Sequence, residues 1–299
     1  MNVLTINAIH KTYGKLTAVN KVSLQVQRGD ILGFLGPNGS GKTTTLGIVL
    51  GITRADSGSY RWFDETDEVA ARKRIGAILE TPNFYPYMNA VQNLRVVAHL
   101  KRLQNIDFNA ILRLVGLYER RDAPFTAYSL GMRQRLAIAA ALVGDPEVLI
   151  FDEPTNGLDP QGIADIRHLI QHIAAQGKTI IMASHILDEV EKICSHVAII
   201  KNGNLLATGT VGAILSAKMQ VEIACANLEK LKSVFATQNF VETIENDQNK
   251  RLLLTLREPV SMDSVNTLAF QNGLVLTHLV ERKRSLEQEF LQITGRSAV

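Results

Sequence analysis

Residues 36–43 read GPNGSGKT, and this stretch decides the fold of the chain. It matches the pattern G-x-x-x-x-G-K-[ST], comes directly after the apolar run Ile31–Leu35 and opens a helical pattern from about Lys42 to Leu50. The glycines allow successive backbone N–H groups to turn toward phosphate oxygens, and the start of a helix adds a favourable dipole. The stretch therefore predicts a phosphate-binding loop between a buried strand and a helix.

Two side chains of this loop have predicted roles toward a nucleoside triphosphate. Lys42 neutralises the β- and γ-phosphates, and the hydroxyl of Thr43 is a ligand for Mg²⁺. A match to all the specified positions by chance is expected in roughly one chain in a hundred of this length, so phosphate binding is favoured. The predicted nucleotide-binding residues of the segment are Gly36, Pro37, Asn38, Gly39, Ser40, Gly41, Lys42, Thr43 and Thr44.

An acidic pair ends a second apolar run. Val148–Phe151 are all apolar and are followed by Asp152 and Glu153, about 110 residues after the loop. A carboxylate at the end of a buried strand can hold Mg²⁺ directly or through water, which is the role predicted for Asp152. Because side chains alternate along a strand, Glu153 points in a different direction and is predicted to act as a general base on water. Strands that end in acids are common, so the pair is informative only together with the loop.

The patterns along residues 1–215 predict an α/β domain with a mostly parallel sheet. Thr179–Ala183 is a third continuous apolar run, which is typical of strands buried on both faces. Residues 3–8 and 18–27 alternate between apolar and polar instead, and they predict an antiparallel β subdomain. Between about residues 84 and 143 the apolar spacing is helical with no strand pattern, which predicts an inserted helical subdomain.

The remainder of the chain predicts a second, smaller domain. Residues 219–299 show the order strand-helix-strand-strand-helix-strand, with a further helical pattern near 285–293. This order is typical of a small two-layer α+β domain. A chain of 299 residues is long enough for both predicted domains.

Composition excludes several classes of protein. Hydrophobic residues make up 46% of the chain and charged residues 20%, as in ordinary globular proteins. The net charge of +3 gives no basic stripe, so we expect no nucleic-acid partner. No run approaches the roughly 18–20 apolar residues that span a bilayer, and the first residues lack the apolar region of a signal peptide. Any membrane role is therefore expected to need a partner, and the two cysteines fit a reducing cytoplasm.

Three further motifs resemble those of the ABC ATPases. Tyr128–Arg135 reads YSLGMRQR and resembles the ABC signature, usually written LSGGQ. Gly157–Pro160 reads GLDP and resembles the D-loop of that family, and His185 follows a strand pattern as the family's switch histidine does. The resemblance covers residues 1 to about 215 in unbroken order. It implies the P-loop NTPase fold.

The resemblance also implies roles for individual residues. Tyr13 lies where the family stacks an aromatic ring on adenine, which implies ATP, although stacking alone accepts any base. His185 lies where the family has a histidine that hydrogen-bonds the γ-phosphate. The nucleotide-binding residues that the resemblance adds are Tyr13, Ser129, Gly131 and Asp159. The predicted catalytic residues are Lys42, Glu153 and His185.

Two departures from the family's pattern bear on the site. The signature keeps Ser129 and Gly131 but has Leu130 and Met132 in place of glycine and glutamine. This change bears on how tightly two ATPase subunits close on each other, since the family works as dimers. Glu80 stands where most relatives carry glutamine, and an ionised glutamate ligates Mg²⁺ but donates no hydrogen bond. Our hypothesis is that Glu80 is a metal ligand that also transmits site closure to a partner. These features and the appended C-terminal domain resemble the bacitracin- and lantibiotic-export branch of the family.

ABC ATPases of this kind work as head-to-tail pairs bound to membrane subunits. The resemblance therefore implies ATP and Mg²⁺ as cofactors, and as partners integral-membrane permease subunits and a second copy or a homologous ATPase. The expected location is the cytoplasmic face of the cell membrane. The expected function is ATP hydrolysis that powers export of a peptide antibiotic, drug or similar compound, with import left open. The alternative is an ABC ATPase that remodels DNA or ribosomes, while a plain P-loop kinase or GTPase leaves the three further motifs without a role.

Two smaller groups of residues have alternative interpretations. His168 and His172 lie four residues apart on a helical pattern, but no third metal ligand is evident, so a solvated or core pair is favoured. Phe84, Tyr85 and Tyr87 are equally consistent with a contact patch for a membrane partner and with core packing.

Overall fold

The computed structural model describes residues 1–79, 83–215, 219–247, 250–282 and 285–295. The chain divides into two compact units, residues 1–211 and 212–299. The first unit carries the sheet and helices that the loop motif predicts. The second unit is a separate small α+β structure.

The first unit consists of strands and helices, which are numbered here in chain order. Its strands are β1 (Asn2–Tyr13), β2 (Leu16–Gln27), β3 (Ile31–Leu35), β4 (Ser57–Trp62), β5 (Ile75–Ile78), β6 (Val148–Asp152), β7 (Thr179–Ser184), β8 (His196–Lys201) and β9 (Asn204–Thr210). Its helices are α1 (Lys42–Val49), α2 (Glu68–Lys73), α3 (Ala90–Leu100), α4 (Phe108–Leu114), α5 (Leu130–Leu142), α6 (Pro160–Ala175) and α7 (Leu187–Ile193). The helices α3, α4 and α5 follow one another with no strand among the described residues between β5 and β6, as expected for a helical insertion.

A six-stranded sheet forms the centre of the first unit, in the order β5-β6-β7-β3-β8-β9. All neighbouring pairs are parallel except β8 with β9. β6 and β7 are buried along their whole lengths, which explains why both segments are continuous apolar runs. Because β6, β7 and β3 are adjacent and parallel, the residues that follow these strands come to the same edge of the sheet.

A three-stranded antiparallel sheet, in the order β2-β1-β4, lies beside the phosphate loop. The amide of Asn20 on β2 donates to the carbonyl of Gly203 in the β8–β9 turn at 2.8 Å. The amide of Gly203 in turn donates to the carbonyl of Ser40 at 2.9 Å. The antiparallel sheet and the β8–β9 hairpin therefore hold the loop from outside its own segment.

The second unit has the predicted order of elements. After the short helix α8 (Val211–Leu215), its elements are β10 (Gln220–Cys225), α9 (Leu228–Ala236), β11 (Val241–Asp247), β12 (Arg251–Leu256), α10 (Met262–Gln271), β13 (Leu276–Arg282) and α11 (Leu286–Ile293). The sheet has the order β11-β12-β10-β13, and every pair is antiparallel. Alternate strand residues such as Val221, Ile223 and Leu254 pack with Leu231 and Phe235 of α9 in the core. The predicted fold class is confirmed.

Among the residues that the structure describes, no helix combines the length and the apolar character that crossing a bilayer requires.

The packing of β5 on α5 generates a stability prediction. A Cβ added at Gly76 would lie 2.0 Å from the carbonyl oxygen of Ala141, so Gly76→Ala must push the helix away from the sheet. We expect the free energy of unfolding to fall by about 3 kcal/mol, measured by urea titration with circular dichroism. Gly212→Ala is the matched control because a Cβ there meets no atom within 4 Å. Equal stability of the two variants would contradict the prediction.

Candidate functional site

The phosphate loop has backbone conformations that only glycine adopts easily. Gly39 and Gly41 have φ of 76° and 105°. A Cβ at Gly41 would also lie 2.2 Å from the carbonyl oxygen of Ala18 on β2. Gly41 is the N-cap of α1 and supplies no side-chain cap, so the first N–H groups of the helix have no acceptor from that residue. The loop and the helix end therefore present donors suited to an anion.

Lys42 is buried and lies inside the curve of the loop. Its ammonium donates to the carbonyls of Gly36 at 2.7 Å and Pro37 at 3.3 Å. The ammonium is also 3.6 Å from Oε1 of Glu153. The charge is thus held at the point where the loop curls and where a phosphate oxygen would gain most from it.

Thr43 and Asp152 lie side by side. The Thr43 hydroxyl donates to Oδ2 of Asp152 at 2.7 Å, although the residues are 109 positions apart in the chain. One hydroxyl and one carboxylate are the hard oxygen ligands that Mg²⁺ prefers, so the pair fits the predicted metal. Among the described residues no group of three or more His, Cys, Asp or Glu could hold a metal ion. An ion here would therefore depend on oxygen atoms of the nucleotide and water for its other ligands.

Glu153 leaves the strand in an unusual backbone conformation. Its φ is 51°, in the left-handed region that costs a non-glycine residue about 1–3 kcal/mol. Its amide donates to the carbonyl of Ala183 on β7 at 3.0 Å, which holds this conformation in place. Its Oε2 is 2.8 Å from Nδ1 of His185, which follows β7. Glu153 therefore connects Lys42 on one side with His185 on the other.

A cavity of about 300 Å³ brings most of these predicted residues together. Its lining includes Tyr13, the loop residues from Asn38 to Thr44, and Glu153. Tyr13 is 50% exposed and the Lys11 ammonium is 5.4 Å from the centre of its ring. The exposed ring is available for stacking at the side of the phosphate loop. We call this space the loop cavity.

Three further predicted nucleotide-binding residues line a different cavity, whereas Gly36 and Pro37 are in the lining of neither. Ser129, Gly131 and Asp159 lie on the wall of a cavity of about 470 Å³, which shares no lining residue with the loop cavity. Ser129 caps α5 by accepting from the amide of Met132 at 3.3 Å. Asp159 caps α6 by accepting from the amide of Gly162 at 2.9 Å. We call this space the signature cavity, and the structure does not bring it together with the loop.

An ion pair in the signature cavity had no predicted role. Arg135 of α5 donates to Oδ2 of Asp165 of α6 at 2.7 Å, and it also donates to the carbonyl of Val115 at 2.9 Å. A hydrogen bond from Gln161 lowers the pKa of Asp165 from its ordinary value, and the hydrogen bond from Arg135 lowers it further. Arg135 stood inside the signature motif, but no sequence pattern points from it to Asp165.

The structure tests some of the smaller predictions and leaves one of them untested. Glu80 lies outside the described residues, so its role as a metal ligand stays a prediction. His168 and His172 are both exposed on α6, as the favoured interpretation of a solvated pair expects. The three aromatic residues divide between the two alternatives. Phe84 packs on Phe125 with ring centres 5.3 Å apart, whereas Tyr85 and Tyr87 are 47% and 72% exposed.

Comparison with known proteins gives a family match within the first unit and relatives that match nearly the whole chain. A family model described as ABC transporter matches residues 19–156. The chain is 34% identical to Nod factor export ATP-binding protein I of Ralstonia nicotianae, over 98% of this chain and 94% of the relative. It is also 34% identical to the bacitracin transport ATP-binding protein BcrA of Bacillus licheniformis, over 98% of this chain and 97% of that relative. The structure of an ATP-binding subunit of an ABC transporter matches with a TM-score of 0.64 and 28% identity, over 72% of this chain and 92% of the other.

The geometry of the loop predicts that Gly39 and Gly41 differ in how much they contribute to ATP binding. Gly41→Ala adds a clash with Ala18 to an unfavourable φ, whereas a Cβ at Gly39 meets no atom within 4 Å and only the φ is strained. We expect Gly41→Ala to weaken ATP binding at least about tenfold more than Gly39→Ala, since 1.4 kcal/mol corresponds to a factor of ten. Titration with a fluorescent ATP analogue measures both affinities. Equal losses would show that Ala18 does not limit the loop.

Proposed function

Because the chain belongs to the ABC transporter ATP-binding family and is the ATP-binding subunit of such a transporter, we propose that it hydrolyses ATP to power export through separate membrane subunits. The observation that carries this proposal is the chain of contacts from Lys42 through Glu153 to His185 beside the Thr43–Asp152 pair. These groups come from three separate segments of the sequence and meet at one edge of the sheet. The proposed ATPase domain is residues 1–215, and residues 219–299 are a proposed accessory domain for dimerisation or regulation.

The side chains of the site suit phosphoryl transfer to water. Lys42 and the N–H groups at the start of α1 stabilise the negative charge that spreads over the phosphoryl oxygens. Glu153 is placed to orient a water molecule and accept its proton, with His185 fixing the orientation of the carboxylate through their 2.8 Å contact. Thr43 and Asp152 are the proposed holders of Mg²⁺, which when bound neutralises charge on the phosphates.

The two separate cavities support a dimeric mechanism. Lys42 and Tyr13 line the loop cavity, whereas Ser129, Gly131 and Asp159 line the signature cavity. If both sets bind one nucleotide, the second set has to come from another copy of the chain or a homologous subunit. In the proposed mechanism ATP holds two copies head to tail, and hydrolysis releases them.

The relatives and the surface support a membrane partner. The names of the two relatives specify export of Nod factor and transport of bacitracin, which favours an exporter of a peptide antibiotic, drug or similar compound. The exposed pair Tyr85 and Tyr87, with ring centres 6.0 Å apart, is the proposed contact patch for the permease. Aromatic side chains are enriched in protein interfaces because they bury a large area with few rotatable bonds. The proposed location is therefore the cytoplasmic face of the membrane.

Glu153→Gln tests hydrolysis and dimerisation together. The amide keeps the shape of the carboxylate but cannot accept the proton of water, so we expect steady-state hydrolysis to fall at least about a hundredfold. We expect the variant to accumulate as an ATP-bound dimer in size-exclusion chromatography with light scattering. Chelation of Mg²⁺ is expected to abolish hydrolysis by the parent protein, measured as phosphate release.

Glu119→Gln is the control for this variant because Glu119 is exposed and remote in sequence from the acidic pair. It is expected to hydrolyse ATP at the parental rate. A Glu153→Gln protein that hydrolyses normally and stays monomeric with ATP would remove both parts of the mechanism.

The proposed partner is tested by purification from membranes. A tagged chain expressed with its chromosomal neighbours is expected to co-purify with a multi-spanning membrane protein in mild detergent. Tyr85→Ala/Tyr87→Ala is expected to reduce that recovery severalfold, because two exposed aromatic anchors are lost. Leu206→Ala, which removes an exposed leucine on β9, serves as the control. Recovery with ribosomes or DNA instead would support the alternative class of ABC ATPase.

A further inference from the structure

Leu130 is the first residue of α5, directly after Ser129. Its side chain is 50% exposed, and the structure shows what its other half contacts. A Cβ added at Gly157 would lie 3.3 Å from Cδ2 of Leu130, so the leucine side chain lies over Gly157 in the turn before α6. Leu130, one of the two residues that depart from the family's signature pattern, is therefore matched by a glycine on the facing segment.

A second contact of the same kind runs in the opposite direction. Leu158 follows Gly157, and its Cδ2 lies 3.9 Å from the Cβ position of Gly131, which follows Leu130. Each segment thus contributes one leucine and one glycine, and each leucine packs over the glycine of the other segment. Gly157 has φ of 77°, so this turn is also a place where a larger residue is strained.

A polar contact joins the same two helices farther along their length. Arg135 lies five positions after Leu130, and its ion pair with Asp165 at 2.7 Å bridges α5 and α6. Gln161 also donates to Asp165, at 2.8 Å. The start of α5 is therefore fixed to α6 by an apolar contact at the tip and by an ion pair below it.

The turn that Leu130 contacts is continuous with the segment that carries Glu153. The amide of Asn156 donates to the carbonyl of Glu153 at 3.1 Å, and the amide of Leu158 donates to the carbonyl of Thr155 at 3.3 Å. Thr155 is buried with 1% of its surface exposed. The segment from Glu153 to Leu158 is thus a folded turn with internal hydrogen bonds, and Leu130 rests on its far end.

We propose that Leu130 is a positioning residue. Its contact fixes the position of Ser129 relative to Asp159 within one subunit, so that both residues reach the nucleotide bound by a second copy together. This inference rests on the proposed head-to-tail dimer. Its physical reason is pre-organisation. A tip that is already ordered loses less conformational freedom when the dimer closes, and the closed state is correspondingly more stable.

Leu130→Ala tests this role in the Glu153→Gln background. Alanine keeps the helix but removes the contact with Gly157, and loss of a half-buried leucine contact corresponds to about a fivefold change. We expect the ATP concentration at half-maximal dimer formation to rise about fivefold, measured by light scattering across an ATP titration. With Glu153 intact, we expect KM for ATP to rise by a similar factor, about fivefold, while kcat changes less than about twofold.

Two measurements separate positioning from general damage to the structure. The melting temperature should fall by no more than about 4 °C, the shift that corresponds to roughly 1 kcal/mol of lost packing. The affinity of the monomer for a fluorescent ATP analogue should stay at the parental value, because Leu130 does not line the loop cavity. Leu130→Met restores a side chain of similar volume and should restore dimer formation. Leu100→Ala, which truncates a 76% exposed leucine at the end of α3, is the matched control.

The outcomes distinguish this inference from the function on which it rests. If Glu153→Gln alone fails to dimerise with ATP, the proposed dimer is wrong. If it dimerises and Leu130→Ala dimerises equally well or more tightly, the dimer stands and the positioning role is wrong. Failure of Leu130→Met to restore dimer formation would also contradict a role that depends on packing over Gly157.

Discussion

The whole site depends on one constraint, which is the parallel alignment of β6, β7 and β3 in adjacent positions of the sheet. Phe34 of β3 and Asp152 of β6 both pair with Ala183 of β7, so the three strands end at nearly the same level. Three chain segments that are far apart in the sequence then leave the sheet at one edge. The loop, the acidic pair and His185 meet there without any of them having to be long or flexible.

Close backbone approach is the second requirement, and it explains where glycines are needed. The loop fits between β2 and the β8–β9 turn only because Gly41 and Gly203 place no side chain against Ala18. The tip of α5 fits against the turn before α6 because each leucine there packs over a glycine. In both places a rigid sheet or helix fixes the backbone, and a small residue lets the neighbouring segment come close enough to be held by it.

Much of the site could be predicted from sequence because its parts are contiguous. The loop, the acidic pair and the signature each place their functional groups within eight residues, and strand and helix periodicity around them is strong. The contacts that fix these motifs against neighbouring segments were not predicted. Arg135 with Asp165, and Ser40 with Gly203, join segments whose separation in the chain carries no spacing rule. Phe84 and Tyr85 are adjacent aromatic residues, and only the packing of one on Phe125 separates core from surface.

By itself, the sequence determined the phosphate loop, the order of strands and helices, and the family to which the chain belongs. These are properties of contiguous residues, since backbone conformation and side-chain periodicity act over a few positions. Only the tertiary structure decided that Ser129 and Asp159 share a cavity which is separate from the loop, and that Leu130 rests on Gly157. Contacts of that kind depend on where the topology brings distant segments, and on which side chains are small enough to let them meet.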